Sequence, residues 1–141
     1  MPTDRSVTAS HILEAMEALG RAVHAAGFSQ GLNPAQWAAL RFLARPGALP
    51  GTVAGFARHH RATTGTASQT IDALVRKHLV IRVANPQDRR SALLTLTEAG
   101  QVVLAQDPLV TLADHVATLS ARDLAVLHGH LTAFASLVQR R

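Results

Sequence analysis

Residues 63–97 read TTGTASQTIDALVRKHLVIRVANPQDRRSALLTLT, and the order of elements in this stretch decides the fold. Thr63 or Thr64 can cap a helix in which Ala67, Ile71 and Leu74 recur at helical spacing, leaving Thr66, Ser68, Gln69 and Arg76 off the apolar stripe. From Val80 to Ala84 the chain turns β-branched, Asn85-Pro86 signals a turn, and Ala92-Leu93-Leu94-Thr95-Leu96 reads as a returning strand. A polar-edged helix followed by a hairpin with a basic tip is the outline of a winged helix-turn-helix. The charge distribution agrees. Between Arg58 and Arg90 stand Arg58, Arg61, Arg76, Lys77, Arg82, Arg89 and Arg90 against only Asp72 and Asp88, whereas the rest of the chain carries seven residues of each sign. The whole net charge of +5 therefore lies in one segment, as a phosphate-binding surface requires.

Working outward, Thr97-Glu98 opens a further helix, in which Asp107-Pro108 is expected to kink the helix or restart it with Asp as cap and Pro at the first helical position. Ser120 to Asp123 opens the last helix, whose Leu124, Leu127, Leu131, Phe134 and Val138 form an apolar stripe. Upstream, Thr52 can cap a short helix through His60, weakened by Gly55 in its interior at a cost of about 1 kcal/mol. The segment 46–51, PGALPG, is a loop. Asn33-Pro34-Ala35-Gln36 has the form of a capping box and opens a helix through Arg45 with Trp37, Leu40 and Leu43 facing inward. A first helix is expected from about Ser6 to Ala26 on the spacing of Val7, Ile12, Met16, Leu19 and Val23. These elements imply a mainly α protein with a small β-hairpin wing. They divide into an N-terminal helix (1–32), a winged module (33–97) and C-terminal helices (98–141), the two ends being suited to dimerisation.

Apolar residues make up 48% of the 141 but aromatics only 4%, so the core is expected to be aliphatic and short of large aromatic anchors. Cysteine is absent, which excludes disulfides, thiol redox sensing and thiolate metal sites. There is no long apolar run, and the first residues carry Asp4 and Glu14 without an apolar signal core, so a cytoplasmic protein without membrane contact is expected.

A helix in the major groove presents its first turns to base edges, where Thr63, Thr64, Thr66, Ser68 and Gln69 offer short hydrogen-bonding groups. Gln69 is the best candidate for base readout, since Gln pairs with adenine in two hydrogen bonds. The plainer alternative is that the Thr and Ser residues only cap the helix. Asp88-Arg89-Arg90 places two guanidinium groups on a projecting loop suited to a narrow minor groove, with the acid able to fix the loop. Arg61 and Arg76 complete the candidate DNA surface.

On these residues the chain resembles the MarR family of transcriptional regulators. The resemblance is carried by Thr66 to Leu74, by Leu79-Val80 entering the wing, by Asp88-Arg89-Arg90 at its tip and by Leu96-Thr97-Glu98-Ala99-Gly100 after it. Leu32 to Trp37 is similar to the opening of that family's second helix. The resemblance implies an obligate homodimer with interlocked first and last helices, a near-palindromic operator, and a small-molecule cleft between the dimer helices and the DNA module. It implies Arg90 as the minor-groove residue, Asp88 as its positioner, and Thr66, Ser68 and Gln69 as major-groove contacts. Two positions depart from the family pattern. His60-Arg61 stands where an apolar residue and Gly are usual, and His78 where Gly ends the recognition helix, so a left-handed backbone at either costs about 1 kcal/mol.

The reading that follows is a DNA-binding regulator, a repressor by analogy and responsive to a small-molecule effector, with no enzyme activity and no cofactor. Its alternatives are a dimeric winged-helix interaction scaffold without operator binding and a metal-sensing regulator. Eight histidines invite the latter, but no pair has the three- or four-residue spacing that puts two ligands on one helix face, and no metal ligand is assigned. His59 and His60, beside Arg58 and Arg61, are expected to extend the basic surface as they protonate. Trp37 is expected either to pack in the core or, with Phe28 or Phe42, to meet an effector.

Overall fold

The computed structural model describes residues 6–45 and 47–140; Asp4 and Pro46, which entered the reading above, lie outside the described residues. Two compact units divide the chain at Pro108 and Leu109.

The first unit begins with α1 (Ala9–Ala26), three residues later than its apolar spacing suggests, because Thr8 caps it in a reciprocal box with His11. In α2 (Pro34–Ala44) the expected box is present: Asn33 Oδ1 accepts from Gln36 N at 2.9 Å and Gln36 Oε1 from Asn33 N at 3.2 Å. Next come α3 (Val53–His60), capped by Thr52, and α4 (Thr64–Arg76), capped by Thr63. The strands β1 (Val80–Ala84) and β2 (Ala92–Leu96) fall on the expected residues and pair antiparallel, Val80 opposite Leu96 and Ala84 opposite Ala92. On its other edge, Leu94 N donates to Gly51 O at 2.7 Å, so the loop before α3 covers β2. Helix α5 (Glu98–Leu104) follows, with Thr97 Oγ as its cap.

The core of this unit lies among α2, α3, α4 and the hairpin, and its largest fully buried side chains are Trp37, Phe56, Leu40, Ile71, Leu74 and Val80. The buried core is largely aliphatic, as expected, but its two aromatics, Trp37 and Phe56, are its largest members, and Phe42 packs against it. Two glycines hold close backbone approaches. A Cβ at Gly55 would collide with the Pro50 carbonyl, and one at Gly100 with the Leu79 carbonyl. Gly55 therefore serves packing of α3 against the preceding loop, an advantage set against the propensity cost read from the sequence.

The second unit holds α6 (Val110–Ala117) and α7 (Ala121–Gln139). The chain does restart after Pro108, but Asp107 is not the N-cap of α6; Leu109 takes that position without a side-chain cap bond. The Asp107 carboxylate is instead engaged by Arg41 of α2, whose Nε and Nη2 reach it at 2.5 and 2.7 Å. Ser120 caps α7 as expected. Neither α1 nor α7 buries a single residue. Among the described residues no helix is long and apolar enough to cross a membrane.

Candidate nucleic-acid interface

Helix α4 is amphipathic: Ala67, Thr70, Ile71 and Leu74 are buried, while Thr63, Thr64, Thr66, Gln69 and Arg76 are exposed and Ser68 is half-buried. Its first turn separates into capping and free groups. Thr63 Oγ accepts from Thr66 N at 3.2 Å and donates to Thr66 Oγ at 3.0 Å, so Thr63 is committed to the helix terminus. The plain capping alternative thus describes Thr63, and through it part of Thr66. Thr64, Ser68 and Gln69 make no side-chain hydrogen bond among the described residues. Gln69 and Arg76, seven residues apart, lie on one row of the helix about 10 Å apart along its axis.

The wing tip is built by its acid. Asp88 Oδ1 accepts from Arg90 N at 2.9 Å and Oδ2 from Ser91 Oγ at 3.2 Å, while Asn85 Oδ1 accepts from Gln87 N at 3.1 Å. Asp88 therefore fixes the backbone of the tip and leaves the guanidinium groups of Arg89 and Arg90 unpaired among the described residues. A tip held this way presents two cations without first having to order its loop.

Arg61 forms the C-cap of α3 in the left-handed region, φ 54° and ψ 41°, and His78, after α4, has φ 58°. Both non-glycine corners thus adopt the costly conformation anticipated at these positions. The second is tied down: Thr97 Oγ donates to the His78 carbonyl at 2.7 Å, and Thr97 N to the Leu79 carbonyl at 3.0 Å.

The basic segment is not uniformly free. Arg82 of β1 pairs with Asp72 of α4 at 2.5 Å, locking the wing to that helix, and Lys77 Nζ donates to Gly31 O and Gln36 Oε1. No local spacing rule pairs residues ten or forty-six apart, so the sequence carried no signal for either contact. Arg58, Arg61, Arg76, Arg89 and Arg90 remain without an ion pair among the described residues. His59 and His60 are exposed beside Arg58 and Arg61. Their rings also lie against Phe42 (5.0 Å between centroids) and Phe56 (5.2 Å, interplanar angle 14°).

The three aromatic residues considered for a ligand do not share a cavity. Trp37 is fully buried and its Nε1 has no hydrogen-bond partner among the described residues. Phe42 lines a cavity of about 410 Å³ with Arg41, Arg45 and His59, and Phe28 lines another with His24 and His60. Among the described residues no group of three or more His, Asp or Glu converges as a metal site would require.

Comparison with known proteins bears on this geometry. Residues 30–91, which span the start of the second helix to the wing tip, match the model of the MarR family. A probable transcriptional regulator from Pseudomonas aeruginosa is 27% identical, with 90% of this chain and 96% of that one covered and a TM-score of 0.62. FabT of Streptococcus pneumoniae in complex with DNA is 19% identical, covers 94% and 98%, and has a TM-score of 0.70. Wild-type MarR from E. coli in its apo form is 21% identical, covers 91% and 96%, and has a TM-score of 0.64. No curated protein matches the chain in sequence. The exposed polar turn of α4, the basic tip held by Asp88 and the match over residues 30–91 converge on a winged helix-turn-helix module that is similar, over those residues, to the MarR family of transcription regulators.

Proposed function

We propose that the protein is a homodimeric regulator that occupies a near-palindromic promoter operator, most simply as a repressor, and releases it on binding a small-molecule effector. The first turns of α4 enter the major groove, with Gln69 reading a base edge, Thr64, Thr66 and Ser68 contacting bases or phosphates, and Thr63 holding the helix end. Arg61 and Arg76 meet phosphates, and Arg89 and Arg90, on the tip set by Asp88, reach the minor groove. The observation that carries this reading is the combination on one module of unpaired hydrogen-bonding groups at the start of α4 with unpaired arginines on a prefixed tip. The DNA-bound form of FabT supports the docking mode.

Dimerisation is assigned to residues 1–32 and 98–141, flanking the DNA module at 33–97. Supporting it, α7 exposes Leu127, Leu131 and Val138 along one stripe, and α1 exposes Ile12 and Leu19. Gly129 of α7 has open space before it, in a row with Ala121, Ala125 and Ala133 that lets another helix approach closely. Two modules so joined address half-sites about 34 Å apart. An effector then acts by binding one spacing of the modules better than the other. No metal cofactor and no catalytic step enter this reading.

The test is a fluorescence-anisotropy titration of the protein with its own promoter DNA and with a scrambled duplex, each at low and high salt. Promoter-selective binding that survives high salt is expected. Equal weak binding to both duplexes, or none, overturns the operator reading in favour of the interaction scaffold.

A further inference from the structure

Helix α1 meets the rest of the first unit at one corner. Among the described residues of that unit it packs appreciably against α2 alone and buries no residue of its own, so its angle to the module depends on residues 27–33. On the α1 side the corner is tight. A Cβ at Gly27 would come within 2.8 Å of Pro34, the first residue of α2, and Leu32 N closes a turn on Ser29 O at 2.9 Å. At the apex Gln30 and Gly31 both stand at positive φ, 55° and 70°. On the far side the corner is held by Lys77, the C-cap of α4. Its backbone N donates to Ala73 O at 3.1 Å, and its ammonium donates to Gly31 O at 2.5 Å and to Gln36 Oε1 at 3.3 Å. Two of the three ammonium donors are thus spent on the corner, and Lys77 makes no ion pair among the described residues. Gln36 Oε1 also accepts from Asn33 N, so the cap of α2 does not depend on Lys77.

From this arrangement we infer that Lys77 is a positioning residue: it fastens the end of α4 to the corner between α1 and α2, and so sets the half-site spacing that the protein accepts. Charge-assisted hydrogen bonds are the stronger kind, and here they join two elements that no other side-chain bond ties among the described residues. The lever is long. The thirteen residues of α4 place its first turn about 18 Å from the pinned end, so turning the module by about 10° about this corner moves that turn by about 3 Å. That is close to the rise of one base-pair step, about 3.4 Å. Without the pin, the corner is free to turn at Gln30 and Gly31, and the module would follow DNA of other spacings. The inference rests on the proposed dimer and operator for its meaning on DNA; the fastening itself is read without DNA.

The test compares the parent with Lys77→Met, which keeps the stem and removes the donors, and with Lys77→Arg, which restores them. Cysteine is absent, so Ala18→Cys with Gly65→Cys takes spin labels at those two positions alone. Both positions are exposed, and a side chain at Gly65 meets open space. Labelled chains diluted into unlabelled protein report the distance from α1 to α4 within one protomer by pulsed dipolar spectroscopy. Lys77→Met is expected to broaden that distance distribution and Lys77→Arg to narrow it again. On DNA, inserting one or two base pairs at the centre of the promoter operator should cost the parent about tenfold or more in affinity and Lys77→Met about threefold or less. Affinity for a duplex with a single half-site, and its salt slope, should be the same in both proteins, because the Lys77 ammonium is spent within the protein. Lys77 is exposed and the cap of α2 stands without it, so the Met variant is expected to fold; Lys77→Gln, too short to reach both acceptors, serves in its place if it does not. An unbroadened distribution in the folded variant, or a spacing preference as sharp as the parent's, would overturn the inference. A single-half-site salt slope lowered by about 1 would do so too, by making Lys77 a phosphate contact. A broadened distribution in a protein whose parent binds no promoter DNA would refute the operator reading and leave the fastening standing.

Discussion

The DNA module and the long helix α7 both carry apolar residues at regular spacing in sequence and bury them differently in structure. In the module, Trp37, Leu40, Phe56, Ile71, Leu74 and Val80 are fully buried among elements of the same unit. In α7 the stripe is just as regular, yet Leu131 is 47% exposed and Val138 78%. An amphipathic helix gains stability only by covering its apolar face, and the association proposed for α7 would cover it. The apolar residues of the module specify a fold; those of α7, and of α1, are proposed to serve an association. This difference also explains the distribution of polar groups. The module tolerates unpaired ones at the start of α4 and at the wing tip because its own core holds those elements in place.

The largest expected effects separate the two regions. Truncating the core, as in Ile71→Ala, should cost about 2–5 kcal/mol of unfolding free energy, read by denaturant melts. Leu131→Asp, on α7, should leave the helical content in place and convert the dimer to monomer in sedimentation velocity, with operator affinity falling because one module must now bind alone. If Leu131→Asp leaves the sedimentation coefficient unchanged, the apolar stripe of α7 has another purpose and the contrast fails.

Within the module a smaller contrast sets α4 against the wing. Gln69→Ala should lose about 1–3 kcal/mol at a single base position, and an unchanged penalty across all base substitutions would show that Gln69 does not read sequence. Arg90→Ala should instead weaken binding on every sequence, with a bias towards A·T-rich wing contacts, and reduce the slope of log affinity against log salt by about 1.

How much of this was legible in the sequence depended on the range of the contacts involved. Asn33 and Gln36 form their box, Thr97 caps α5, and both strands span the anticipated residues, because caps, turns and alternation are set by neighbours a few positions apart. Lys77 and Arg82 counted as surface cations in the sequence but are engaged by partners far along the chain, Gly31 and Asp72. Asp107 looked like a helix cap and proved to be the counter-ion of Arg41, sixty-six residues away. His59 lies on Phe42 because α2 and α3 pack side by side, which periodicity does not report, whereas His60 lies on Phe56 four residues before it on the same helix, a contact that helical spacing allows. Among the candidate DNA-contacting residues, the structure separates groups that build the surface, Thr63 and Asp88, from groups left free on it, such as Gln69 and Arg90.

The smallest effect probes why two corners of the module carry side chains where the backbone favours glycine. Arg61 and His78 both sit at positive φ, each at a cost of roughly 1–2 kcal/mol offset in part by the lower chain entropy of the unfolded state. Replacing either with Gly should therefore raise stability by something under about 1 kcal/mol, a shift of a few degrees in Tm. The pair should part company on DNA. His78 contributes its backbone carbonyl to Thr97, a bond that Gly preserves, so His78→Gly should bind the operator as the parent does. Arg61 is exposed and unpaired, at the corner leading into α4, and Arg61→Gly should lower affinity and reduce the salt slope by about 1. A stabilised Arg61→Gly protein with undiminished operator affinity would mean that the strain at Arg61 serves no phosphate contact, and the free basic face would then shrink to Arg76 and the wing tip.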